Sequence, residues 1–75
     1  MEEILKKVFC DTFQINKNDF NTDLSMGDNI SWDSLGHLTI ITAVEEEFEV
    51  FFNDDEIIKL KSYTDFVNIL KVKLK

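Results

Sequence analysis

Seventy-five residues provide for one small domain and no second core, because a chain this short buries only about 60% of the surface it exposes when unfolded. A 44% hydrophobic share with seven Phe excludes a disordered tail, despite a net charge of −7. Fifteen acids against eight cations, all of them lysine, argue against nucleic acid and anionic membrane surfaces as partners, since both require clustered positive charge.

In chain order, residues 2 to 14 place Ile4, Leu5, Val8, Phe9 and Phe13 at spacings of three and four, which predicts an amphipathic first helix. This amino-terminal stretch carries acids where a secretory signal carries positive charge. No apolar run in the chain approaches the roughly 20 residues of a membrane span, so a soluble, cytoplasmic protein is expected. Cys10 is the only cysteine, which leaves no internal disulfide and fits a reducing compartment; beside Phe9 it reads as a packing residue. Residues 15 to 33 are rich in Asn, Asp and Ser and read as a long loop pinned by Ile15, Phe20, Leu24, Met26, Ile30 and Trp32. A connection of that length in a small domain is usually functional.

From Ser34 to Phe48, the residues Leu35, Leu38, Ile41, Val44 and Phe48, with Ile40, predict a second helix with a broad apolar stripe. Its β-branched cluster favours a strand, but the 3.6-residue period is sustained for too long. The segment "EVFF", residues 49 to 52, is a candidate short extended piece. Asn53 with Glu56 predicts a capping box opening a short helix through Leu60, and Ser62 with Asp65 repeats the signal before a closing helix containing Phe66, Val67, Ile69, Leu70 and Leu74. Phe48, Phe52 and Phe66 are expected near the core, where they would leave less room for a long guest.

Residues 18 to 58 contain no Lys or Arg and eleven acids: Asp19, Asp23, Asp28, Asp33, Glu45, Glu46, Glu47, Glu49, Asp54, Asp55 and Glu56. The window is either a solvated surface or a docking face for a basic partner. Within it, Ser34 stands at the start of the second helix, where serine is ordinarily a cap. Asp33 already supplies a cap side chain, however, and Ser31 is an alternative. Ser34 is therefore spare, in the first turn of a helix whose dipole would favour a phosphate ester by roughly 0.3 to 1 kcal/mol.

The stretch "DSLGHLTIITAVEEEFEV", Asp33 to Val50, resembles the motif of the acyl carrier protein family, and the order of helices extends the resemblance over essentially the whole chain. The resemblance implies a four-helix bundle forming one carrier domain, residues 1 to 75, in which Ser34 carries 4′-phosphopantetheine. A phosphopantetheinyl transferase would attach that group from coenzyme A, and its thiol would hold an acyl group as a thioester. It further implies a monomeric, non-enzymatic shuttle of fatty-acid, polyketide or related specialised biosynthesis. Basic patches on the acyl-loading and acyl-transferring enzymes would read its second helix through Asp33, Glu45, Glu46 and Glu47, with apolar contact from Leu35 and Leu38.

The residues themselves agree with a passive role. No metal-ligand spacing is evident: His37 is the sole histidine, and Asp54, Asp55 and Glu56 lack EF-hand spacing. Ser34 and His37 are three apart, but without an orienting third group or an oxyanion turn they do not read as a catalytic pair. His37 is expected to be a partly exposed residue beside the arm. Gly36, His37 and Thr39 depart from the more acidic form of the motif, which opens the pathway to specialised cargo. Two further readings remain: an aminoacyl or peptidyl carrier, and an unmodified acidic adaptor in which Ser34 only caps its helix.

Overall fold

The computed structural model describes residues 1–27 and 32–75; Asp28 of the acidic window, the loop anchor Ile30 and the alternative cap Ser31 lie outside the described residues. Among the described residues there are four α-helices, α1 (Glu2–Phe13), α2 (Ser34–Phe48), α3 (Asp54–Lys59) and α4 (Tyr63–Lys73). This is the expected all-α arrangement of three longer helices and one short one. None of these helices is long and apolar enough to cross a membrane.

Helix α1 buries Leu5, Val8, Phe9 and Phe13 of the face its spacing predicts, together with Cys10, but leaves Ile4 exposed at the edge of that face. Burial pushes the Cys10 thiol above its usual range. The helix ends where Gln14 turns left-handed and the chain enters the long loop. That loop is tied down by its backbone as well as its side chains. An antiparallel bridge joins Ser25 to Ser62, the Met26 N–H donates to the Lys61 carbonyl at 2.7 Å, and the Tyr63 N–H donates to the Leu24 carbonyl at 2.9 Å. Gly27 follows with φ of +93°, a left-handed conformation that glycine adopts without steric strain. Leu24 and Trp32 are buried, and Ile15 and Phe20 pack half-buried against the core. Met26 departs from the expected set of anchors: at this point the backbone is held by Lys61 and the side chain faces solvent.

Helix α2 has the predicted bounds but a shifted inner face. It buries His37, Ile40, Ile41 and Val44, while Leu35 and Leu38 are 78% and 59% exposed. The expected stripe through Leu35 and Leu38 is thereby corrected. Positions 37, 40, 41 and 44 have the same helical spacing, and histidine can occupy an inward place when both ring nitrogens are bonded. The segment "EVFF" forms no strand. Glu49 closes α2 in a left-handed turn, Phe51 is exposed and Phe52 is buried. The Glu45 carboxylate accepts the Phe52 N–H at 2.8 Å and so shapes the connection to α3.

The capping box of α3 forms as predicted, with the Asn53 and Glu56 side chains each accepting the other's backbone N–H. At α4 only half of the predicted box forms. Ser62 Oγ accepts the Asp65 N–H, but the Asp65 carboxylate accepts the Lys61 N–H instead of that of Ser62. The core is an aromatic cluster centred on Phe9, whose ring lies 5.2 to 6.5 Å from those of Phe13, Phe20, Trp32, Tyr63 and Phe66. Phe52 and Phe66 are buried in it and Phe48 packs at its edge, as expected.

Glu56 also joins α3 to α4, its Oε2 lying 3.0 Å from Lys73 Nζ. The Asn53 N–H, and after it Lys73, hold its carboxyl below the usual range. A depressed folded value means that the stabilisation is complete above the unfolded carboxylate pKa and is lost as pH falls through the folded one. Glu56→Gln is therefore expected to flatten the acid side of the stability profile, measured as urea midpoints from neutral pH down through the carboxylate range. An unchanged acid slope would show that Glu56 does not set it.

Candidate functional site

The head of α2 is built by Asp33. In extended conformation, it accepts the Gly36 N–H on its side chain at 2.9 Å, and its carbonyl accepts the His37 N–H at 2.7 Å. Ser34 is then the first helical residue and is exposed; among the described residues no hydrogen bond engages its hydroxyl. The amides of Ser34 and Leu35 have no acceptor within the helix, so the hydroxyl stands at the positive end of its dipole. The serine left spare by the cap count is also spare in the fold.

Around it lie the other residues singled out. Leu35 and Leu38 face outward and, with Thr39, Thr42, Ala43 and Glu46, line a shallow groove of about 470 Å³. Glu46 and Glu47 are exposed and share a second groove with Val8, Asp11, Thr12 and Ala43. Asp11 belongs to α1 and lies outside the acidic window of the sequence. It joins this face because α1 packs along α2, which composition does not reveal. Asp33 is exposed but holds the cap, and Glu45 is half-buried on the Phe52 amide.

His37 is the residue that sequence reasoning misplaced. It is buried, with its ring stacked at 20° on that of Trp32, and both ring nitrogens are engaged. The Trp32 indole N–H donates to Nδ1 at 3.0 Å, and Nε2 lies 2.8 Å from the Ile57 carbonyl. An indole only donates and a carbonyl only accepts, so these partners define a neutral imidazole with its hydrogen on Nε2. Neither nitrogen is directed to Ser34, which removes the serine–histidine pair. The available signal was a tryptophan five residues earlier, with one donor to satisfy.

The described residues thus form a small helical bundle that presents an exposed serine at the head of an acidic, partly apolar helix. The chain is 33% identical to an acyl carrier protein of Petrotoga mobilis over 72 residues, 96% of this chain and 85% of that one. An acyl carrier protein of Clostridium acetobutylicum is 33% identical over 69 residues, covering 92% and 90% of the two chains. One from Cyanophora paradoxa is 26% identical over 68 residues, covering 91% and 66%. No family model matches the chain. The chain belongs to the acyl carrier protein family, and its role is that of a carrier.

Proposed function

We propose that residues 1–75 form one carrier domain whose Ser34 bears 4′-phosphopantetheine, and that the thiol of this arm carries an acyl group as a thioester. The observation that carries the reading is the exposed hydroxyl of Ser34, unbonded among the described residues, beside a cap that does not need it. In the attachment, Ser34 Oγ loses its proton and bonds to the phosphorus that bears the pantetheine. The diphosphate bond of coenzyme A breaks, and adenosine 3′,5′-bisphosphate leaves. The arm supplies the thiol chemistry. The chain contributes the hydroxyl, a helix end that favours the phosphate's charge and a face by which partners find it. No residue of the carrier need act as a catalyst, and the shuttle is a cytoplasmic monomer.

Incubation with coenzyme A, magnesium and a broad-specificity phosphopantetheinyl transferase tests the reading by intact mass. One phosphopantetheine per chain is expected, and a chain that gains none would refute it. The cargo belongs to fatty-acid, polyketide or related specialised biosynthesis, and thioester capture from extract identifies it.

Partners dock on Asp33, Leu35, Leu38, Glu45, Glu46 and Glu47, with Glu46 and Glu47 free to pair because Asp33 and Glu45 also serve the fold. Glu46→Lys with Glu47→Lys is expected to lower kcat/KM for loading by roughly ten- to hundredfold at low salt, with a shallower salt dependence than the native chain. An unchanged kcat/KM across ionic strengths would place docking elsewhere.

A further inference from the structure

An apolar group tethered at Ser34 has two places to go. It can enter the bundle, where burial favours it roughly fourfold for each methylene removed from water, or it can remain on the surface. Which one it takes depends on whether the interior is open at the head of α2.

The inner side of that head is filled by packed rings. The first inward residue of α2 after Ser34 is His37, one turn along, and its Nε2–H is bonded to the Ile57 carbonyl of α3 at 2.8 Å. The ring thus spans the passage between the two helices. Behind it lies Trp32, 1% exposed, which donates to Nδ1 and stacks on Phe13 of α1 at 5.6 Å and 27°. The indole also meets Phe9 edge-on and lies tilted against Phe66. Entry of a guest would break the buried Trp32–His37 hydrogen bond and the His37–Ile57 one beside it, and displace an indole packed on four rings, leaving the indole donor unsatisfied. Outside, Leu35 and Leu38 are exposed directly below the serine, and a groove of about 310 Å³ lined by Thr12, Phe13, Asp33, Leu35, Gly36 and Thr39 runs beside it.

We infer that the Trp32–His37–Ile57 bridge bars cargo from the interior, so that this carrier holds its acyl group outside the bundle and selects for short or polar groups. The inference rests on Ser34 being the attachment site. Such groups remain stable in water without burial, whereas a long alkyl chain would be left exposed.

The test loads the native chain with acetyl-, butyryl- and octanoyl-phosphopantetheine from the matching acyl-coenzymes A and measures thioester cleavage by hydroxylamine. In the native chain the rates are expected to agree within about twofold across the series, since no methylene enters the interior. In His37→Ala, cleavage is expected to slow with each added methylene. Trp32→Phe replaces it if that chain does not fold, since it removes the donor and some of the indole's bulk. Native rates that fall steadily with chain length would overturn the inference, as would a folded variant with rates as flat as the native ones. A chain that takes up none of the acyl arms would instead refute the carrier reading of Ser34, a different failure.

Discussion

Ser34→Ala is expected to take up no phosphopantetheine while unfolding within about 0.5 kcal/mol of the native chain. The separation follows from the division of labour at the head of α2. Asp33 satisfies the Gly36 amide and starts the helix, while the Ser34 hydroxyl is exposed and, among the described residues, holds nothing. Removing an exposed, unbonded hydroxyl changes little, and alanine is the best helix former for a first-turn position. Loss of the cap would fall on Asp33 instead, at about 1 kcal/mol for Asp33→Ala. Intact mass after incubation with the transferase, alongside urea unfolding, checks both halves. An alanine chain that gained the same mass would place the attachment on another side chain. One that unfolded far more easily would make Ser34 structural, as the adaptor reading requires.

His37→Ala is expected to have the largest effect on stability, about 2–4 kcal/mol. It strands the buried Trp32 indole N–H, takes one of two donors from the Ile57 carbonyl, and removes a ring that packs on Trp32. A domain of this size has on the order of 5–10 kcal/mol in total, so the melting temperature would fall by roughly 10–25 °C. His37→Gln, which can both accept from the indole and donate to the carbonyl, should recover some of the loss. Trp32 is the only tryptophan and is buried, so its fluorescence follows unfolding directly. A loss below about 0.5 kcal/mol would mean that the bridge holds little, and its role in excluding cargo would weaken with it.

The two variants divide what can be read along the chain from what cannot. The four helices, the cap at Asp33 and the box at Asn53 and Glu56 were legible because each depends on residues within a turn of one another. Ser34 was legible for the same reason: counting caps over a few residues left one hydroxyl unused. The inner face of α2 was not legible. Its apolar residues suggested Leu35 and Leu38, and only the arrival of Ile57 and Trp32 on either side of His37 turned a polar residue inward and those leucines outward.

The acidic face divides in the same way. Its charge is a property of composition, but which acids remain free for a partner is decided by folding. Glu45 is drawn to the Phe52 amide, Asp33 to the Gly36 amide and Glu56 to Lys73, while Asp11 arrives from another helix to stand beside Glu46 and Glu47. Sequence by itself determined the helices and the Asp33 cap that leaves the Ser34 hydroxyl unneeded, since local spacing and capping act over a handful of neighbours. Tertiary structure alone decided the bridge at His37 and which acids stand free on the surface beside α2. A hydrogen bond needs two partners, and those partners lie twenty residues apart in His37 and Ile57.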